Sequence, residues 1–308
     1  MGAGRMGKEN IGPFVINAVI QGDCRFLIPE LPDNSIDVIV TSPPYWGQRE
    51  SFGTGVEEDP RSYLECLKNI FTIVLPKLKE SSIVWINLGD AYNTPINWRF
   101  KDYTYSSLGA EKNGLSPNNT AYTKPRAKRK PFIDKSTGWL KYGNLLALPY
   151  RLITSFCDIG YFFRGEVIWL KKNPMPEGRC RRPHRQHESI YLLAKSESHS
   201  FRITPPVKTV WQFSNEKIEG KEHFSRFPEE LPYRCIEAYG IKGKNVVVLD
   251  PFSGSGTTGI AARRLNCTYI GFEIDPIQVE ASNKRLANIR PGWQPMLSFS
   301  ETGTILRL

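Results

Sequence analysis

Hydrophobic positions along the chain gather into short unbroken runs more than into long periodic stretches. Runs at 15–20, 36–41, 82–88, 165–170, 189–194, 246–250 and 269–274 are rich in Val, Ile and Leu. Short apolar runs of this kind suit strands buried on both faces. Between several of them the period changes to that of a helix. Leu64, Leu67, Phe71, Val74 and Leu75 share one helical face over 63–78, and further helices are expected at 148–159, 236–240 and 256–265. Strands that alternate with helices predict an α/β fold, with a mostly parallel sheet of seven strands and helices on both faces. No internal repeat is visible.

One region breaks this rhythm. Residues 92–141 have no clear period and carry ten Lys/Arg against Asp102, Glu111 and Asp134. Tyr92, Trp98, Phe100, Tyr103, Tyr105, Tyr122, Phe132 and Trp139 are interleaved with those cations. Basic groups suit phosphates and aromatic faces suit bases, so the region reads as a nucleic-acid contact or as a solvated loop. A second basic stretch at 171–185, with Lys172, Arg181 and Arg182, lies between two expected strands and can face the same ligand.

Composition narrows the picture. The chain has 308 residues, 40% of them hydrophobic, and a formal net charge of +10. That length suits one large α/β domain or two small ones, and the charge favours a polyanionic partner. The six cysteines form no C-x-x-C pair, so reduced thiols and no metal are expected. No apolar run has membrane-spanning length, and residues 1–10 lack a signal-peptide core. A cytoplasmic protein with a flexible N-terminus follows as an expectation.

Two stretches carry chemistry. Residues 41–46 read T-S-P-P-Y-W at the end of an apolar run. Proline fixes φ, and the residue before a proline is held extended, so Ser42, Pro43 and Pro44 form a stiff corner whose carbonyls point in definite directions. A strand cap with a surface aromatic is the plain alternative. Residues 246–259 read V-V-V-L-D-P-F-S-G-S-G-T-T-G. Gly254, Gly256 and Gly259 fit G-x-G-x-x-G between a strand and a helix, and Glu273 ends the next strand, where it can accept from ribose hydroxyls. A P-loop is excluded by the missing Gly-Lys-Ser/Thr ending. Asp250 and Phe252 suit a cationic ligand, which favours the sulfonium of S-adenosylmethionine over the pyrophosphate of NAD. Because little chain follows this turn, the rest of the sheet comes from upstream, and the corner at 41–46 supplies a neighbouring strand end.

D-P-F-S-G-S-G-T-T and T-S-P-P-Y-W, in this order, resemble the β-class amino-methyltransferases of DNA over about residues 22–289. The resemblance implies a Rossmann-like S-adenosylmethionine-dependent fold with a circularly permuted motif order, the catalytic half first. It implies cofactor contacts from Asp23, Phe227, Asp250, Pro251, Phe252, Ser253, Gly254, Gly256, Thr257, Thr258 and Glu273. Asp23 resembles the acidic turn at the adenine, and Phe227 belongs to a segment, 223–231, resembling the helix start at the methionine end. Residues 167–176 and 187–190 are similar to the late substrate-side motif. Ser42 before Pro-Pro implies cytosine N4 as the acceptor, with adenine N6 as the alternative. A nicotinamide-dependent oxidoreductase and a non-catalytic nucleic-acid-binding protein are the more distant readings.

On this reading Ser42 Oγ and the Pro43 carbonyl accept the two N–H of a cytosine amine, and Tyr45 stacks on the flipped ring. Trp46 either lines the pocket or packs in the core. Lys128, Arg129, Lys172, Arg181 and Arg182 are candidate DNA contacts, and Arg263-Arg264 reads as a solvated helix face. The chain divides into a catalytic half (11–91 and 142–195), a basic insertion (92–141), a target-recognition segment (196–222), a cofactor half (223–290) and a tail (291–308). Double-stranded DNA is the expected partner, a companion restriction endonuclease is implied by the family, and monomer and homodimer both remain open.

Overall fold

The computed structural model describes residues 10–47, 53–93, 138–174, 181–213 and 227–292. The chain divides into two units: Met1–Pro43, Leu67–Leu88 and Leu152–Leu308 form the first, and Pro44–Cys66 with Gly89–Arg151 the second. Most of the basic insertion, and with it Lys128 and Arg129, lies outside the described residues.

The first unit is organised by one eight-stranded sheet. Its strands are β1 (Ala18–Gln21), β2 (Ile36–Thr41), β3 (Leu78–Asn87), β4 (Phe162–Lys171), β5 (His187–Ala194), β6 (Val210–Phe213), β7 (Val247–Asp250) and β8 (Thr268–Glu273). Across the sheet they lie in the order β1-β8-β7-β2-β3-β5-β4-β6. The five strands from β1 to β3 are joined in parallel. β5 runs antiparallel to both its neighbours, and β6 pairs in parallel with β4. The sheet is therefore mixed but mostly parallel.

The expectation of seven strands is corrected to eight. The additional strand, β6, falls within the segment expected to serve target recognition. Its four residues, V-W-Q-F, alternate exposed and buried, with Trp211 and Phe213 inside. An edge strand solvated on one face shows only this alternation, without a continuous apolar run.

Side-chain alternation explains the layers. Val38, Val40, Ile83, Trp85, Ile190, Leu192 and Val248 point into one core cluster. That cluster also takes in residues of α4 (Glu230–Glu237), α5 (Thr257–Arg264) and α6 (Pro276–Ala287). The intervening residues Ile39, Val84, Ile86, Leu193 and Leu249 face the other way and are also buried, so both faces are covered. Separately, Phe71 of α2 (Pro60–Val74) lies 4.6 Å from Phe156 of α3 (Leu148–Asp158). Tyr161 packs edge-on against Phe71 and donates its hydroxyl to the Phe71 carbonyl.

Asp37 is polar within an apolar run because its carboxylate serves three donors: Lys79, the Tyr239 hydroxyl and the Val247 N–H. The third glycine of the turn, Gly259, lies where α5 meets β8. A Cβ there would stand 2.5 Å from the Tyr269 ring and 2.9 Å from Leu286. Gly259→Ala is expected to destabilise the fold by about 1–3 kcal/mol through overpacking, read as a lower Tm in a thermal melt.

The connections place the binding crevice. From β2 the chain proceeds to its neighbour β3, while from β7 it proceeds to β8 on the opposite side. The loops leaving β2 and β7 therefore diverge, and open α/β sheets bind ligands at such a switch point, beyond the carboxyl ends of the strands.

Candidate active site

The carboxyl ends of five parallel strands present a row of polar residues in spatial order. Gly22-Asp23 follows β1, Glu273 ends β8, Asp250 ends β7, Thr41-Ser42 ends β2, and Asn87 ends β3. Adjacent strands are about 4.8 Å apart, so the two motifs read from sequence stand side by side.

A buried bridge joins them. Thr41 Oγ1 donates to Asp250 Oδ1 at 2.6 Å across 209 residues of sequence. Asp250 Oδ2 accepts from Thr258 Oγ1 at 2.7 Å, and Oδ1 also accepts from the Phe252 N–H at 3.1 Å. Asp250 is 1% exposed. Burial pushes its carboxyl up to about 6, against the lowering effect of the Thr41, Thr258 and Phe252 bonds. The carboxylate proposed from sequence to meet a cationic ligand thus holds together the loop, the helix that follows it and the corner at Ser42.

The glycine loop is fixed from every side. The Ser253 N–H donates to the Phe272 carbonyl, and its hydroxyl bonds with that of Tyr269 at 2.8 Å. Gly254 takes a left-handed φ of 50°, and its N–H donates to Glu273 Oε2 at 2.9 Å. Among the described residues beyond its chain neighbours, the atom nearest the place of a Gly254 Cβ is the Phe252 carbonyl, 3.9 Å away, so a ligand has room to lie against this backbone. Gly256, also left-handed, is the N-cap of α5. From α6, Ser282 donates to the Gly254 carbonyl at 2.7 Å and Arg285 to the Ser255 carbonyl. Pro251, Thr257 and Thr258 are buried and Phe252 is half-buried. The Thr257 and Ser255 hydroxyls bond with each other.

Glu273 is 3% exposed, and its second oxygen accepts from the Asp275 N–H at 2.9 Å. A carboxylate offers about four acceptor positions, and these two bonds take two. Its carbonyl accepts from the Gly22 N–H. Asp23 caps α1 (Cys24–Leu27) by accepting from the Arg25 N–H, and it pairs with the Arg25 guanidinium. Burial opposes ionisation of Asp23, but the Arg25 bonds outweigh it and hold the carboxyl below its usual range. Phe227 is partly buried against the core cluster beside α4. Two acids at neighbouring strand ends, an open left-handed glycine and a helix N-terminus make a cradle that fits a nucleoside with a positively charged tail.

Ser42 is half-buried and Pro43 buried. The second unit begins at Pro44. There the Pro44 carbonyl accepts from the buried Tyr63 hydroxyl at 3.0 Å. A Cβ at Gly89 would lie 2.6 Å from the Tyr45 ring, so only glycine permits that backbone to rest on the ring. Trp46 is buried and its indole N–H donates to the Glu57 carbonyl at 2.7 Å, which places it inside this unit.

Of the basic candidates, Lys172 and Arg181 are exposed and Arg182 is half-buried. Arg263-Arg264 is not a solvated face. Arg263 donates to the Ile289 carbonyl, and Arg264 pairs with Glu229, each side chain of that pair only 13% exposed. Helical spacing alone did not show that α4 and the chain after α6 cover that side of α5. Sequence reasoning also missed Thr41, Ser282 and Arg285. A threonine at the end of an apolar strand run was the available signal for the first, and the i, i+3 pair on the last helix for the others. Among the described residues, no helix is long and apolar enough to cross a membrane, and no group of three or more His, Cys, Asp or Glu can hold a metal ion.

Comparison with known proteins agrees with this architecture. The N6/N4 "DNA methylase" family model matches residues 36–284. Type II methyltransferase M.SmaI of Serratia marcescens is 30% identical over 290 residues, covering 88% of this chain and 91% of the relative. Type II methyltransferase M.Cfr9I of Citrobacter freundii is 31% identical over 286 residues, covering 87% of each. In structure, the chain resembles PvuII DNA methyltransferase (cytosine-N4-specific), with a TM-score of 0.64 at 21% identity over 90% of this chain and 87% of the other. It also resembles the Thermus thermophilus protein TTHA0409 in complex with S-adenosyl-L-methionine, with a TM-score of 0.59 at 22% identity over 90% of this chain and 95% of the other. At such identities the structural likeness speaks for the fold.

Proposed function

Because the chain belongs to the N6/N4 DNA methylase family, we propose that it methylates the exocyclic N4 amine of a flipped-out cytosine in double-stranded DNA. S-adenosylmethionine, when bound, supplies an electrophilic methyl group on a sulfonium. The observation that carries the reading is the Thr41–Asp250 bond, which joins the strand end before Ser42 to the strand end before the glycine loop.

The chain's own groups do the rest. Gly254 leaves its backbone open to the nucleoside, and Glu273 and Asp23 lie at the strand ends where ribose and adenine polar groups are to be met. Phe227 and Phe252 line the end suited to the methionine part. Ser42 Oγ and the Pro43 carbonyl accept the two amine hydrogens. That grip draws the nitrogen lone pair out of conjugation and aims it, a contribution of proximity and orientation. After transfer, the surplus proton on N4 is lost to water by way of Ser42 Oγ, whose hydroxyl gives up its own proton as it takes that of the amine, so that the serine ends neutral. Tyr45 stacks on the base, at about 1–3 kcal/mol, which offsets a flipping cost of a few kcal/mol.

The net charge of +10 suits a DNA partner. The permuted motif order, the DNA-contacting role of the 92–141 stretch and a companion endonuclease belong to the same reading, and the Type II relatives support the last. The test is to express the protein in a host free of DNA methylation, digest the DNA and identify the modified nucleoside by mass spectrometry. N4-methylcytosine is expected; N6-methyladenine overturns the choice of base.

A further inference from the structure

Two prolines leave the corner after β2 short of donors. Neither Pro43 nor Pro44 has an N–H, so a carbonyl there must find its donor elsewhere in the fold or stand unpaired. For the Pro44 carbonyl that donor is the Tyr63 hydroxyl, 3.0 Å away across 19 residues of sequence. Tyr63 lies in the first turn of α2, where its N–H donates to the Asp59 carbonyl and the Arg61 N–H donates to Asp59 Oδ1. Its side chain is fully buried. Burial pushes the hydroxyl above the ordinary tyrosine range, with Glu57 and Cys66 adding to the effect, so it stays protonated and donates.

That bond acts on Tyr45. The Pro44 carbonyl and the Tyr45 N–H belong to one planar peptide unit. An oxygen fixed by Tyr63 therefore fixes the plane from which the Tyr45 side chain departs. The residues that follow are tied as well. The Trp46 indole donates to the Glu57 carbonyl, and the Gly47 N–H donates to the Gly55 carbonyl at 2.7 Å. At the ring itself, a Cβ on Gly89 would stand 2.6 Å from Cε2 and 3.1 Å from Cδ2. Tyr45 is half-buried: its backbone is held by Tyr63 and the residues around it, and its ring lies against the Gly89 backbone. All of these groups belong to the second unit.

We propose that Tyr63 and Gly89 are positioning residues that set the Tyr45 ring in place before the extruded base arrives. The inference rests on the stacking role of Tyr45 in the reading above. Both residues act through Tyr45. A ring free to turn loses rotamer freedom when a base stacks on it, whereas a ring already ordered avoids that cost. Tyr63 fixes the backbone end of the side chain, and Gly89 gives the ring a flat surface that a side chain would push away.

The test is a mutant cycle read by single-turnover methyl transfer at saturating DNA and cofactor. Tyr63→Phe removes only the hydroxyl and is expected to slow transfer about fivefold, the weight of one neutral hydrogen bond. Tyr45→Ala is expected to slow it about tenfold or more through lost stacking. Adding Tyr63→Phe to Tyr45→Ala is expected to cost nothing further, because losses that run through one side chain do not add. Gly89→Ala is expected to slow transfer when Tyr45 is present and to be harmless beside Tyr45→Ala, where the new Cβ has room. A merely structural Tyr63 multiplies the two losses instead. Should Tyr63→Phe not fold, as a thermal melt shows, the Gly89→Ala arm is read in its place. Transfer by Tyr63→Phe at the wild-type rate, or a Gly89→Ala loss that persists beside Tyr45→Ala, overturns the proposal. If Tyr45→Ala is slow but the losses multiply, only this inference fails; if Tyr45→Ala transfers at the wild-type rate, the stacking role of Tyr45 fails with it.

Discussion

Ser42→Ala is expected to slow single-turnover methyl transfer by about 100-fold while leaving DNA and cofactor binding within a few-fold of wild type. On the proposed function the hydroxyl is one of two acceptors of the amine hydrogens, and removing one preorganised partner of a reacting group costs on the order of 100- to 1000-fold. Ser42 is half-buried at the end of β2, and the strand ahead of it is fixed by the Thr41–Asp250 bond. Loss of Oγ therefore leaves the corner in place, and the change falls on the rate of transfer. Rapid-quench transfer from radiolabelled cofactor, alongside DNA-binding and cofactor-binding titrations, separates the two effects. Transfer by this variant at the wild-type rate would remove Ser42 from the mechanism.

Asp250 governs the second large effect, which is one of stability and its pH dependence. Its native pKa of about 6 lies above an ordinary value of 3.8. Between those values the folded state binds the proton more tightly than the unfolded chain. Stability from this group is therefore greatest below about pH 4, falls as pH rises towards 6 and changes no further above it. The gap corresponds to about 3 kcal/mol. Asp250→Asn is expected to flatten this component, because an amide oxygen still accepts from Phe252 and the threonine hydroxyls can turn to suit the NH₂. Asp250→Ala leaves the Thr41 hydroxyl and the Phe252 N–H without their acceptor, and leaves Thr258 only the Val40 carbonyl at 3.3 Å; each buried orphan costs about 1–3 kcal/mol, and the variant is expected to lose cofactor binding with the loop. Denaturant midpoints from pH 4 to 7 for the three proteins check both statements.

These expectations rest on parts of the molecule that were unequally legible in the sequence. The strand at 36–41 and those bearing Asp250 and Glu273 were readable because a strand buried on both faces must be apolar throughout. The strand Val210–Phe213 was not, since it is short, half exposed and signalled only by alternation. The helix expected at 236–240 begins at Glu230. Pro232 reads as a breaker, yet it lies in the first turn, where a missing N–H costs no helical bond. The neighbourhood of Ser42 and Asp250 followed from topology. The bond that enforces it did not, because no local pattern announces a threonine whose partner is 209 residues away. The same holds for Tyr63, whose hydroxyl meets the Pro44 carbonyl across 19 residues.

The central claim is that the methyl donor and the amine acceptor meet across the adjacent ends of β7 and β2. A crystal structure with S-adenosylhomocysteine tests it most directly through one distance, from the cofactor sulfur to Ser42 Oγ. A sulfur–methyl bond, a near-attack separation of about 3–3.5 Å and one hydrogen bond of about 3 Å bring that distance to about 8 Å or less. A sulfur within that radius, with the nucleoside on the Gly254 loop, is the predicted result. A cofactor bound elsewhere, or a sulfur more than about 12 Å from Ser42 Oγ, beyond what those same spacings can bridge, would contradict the account.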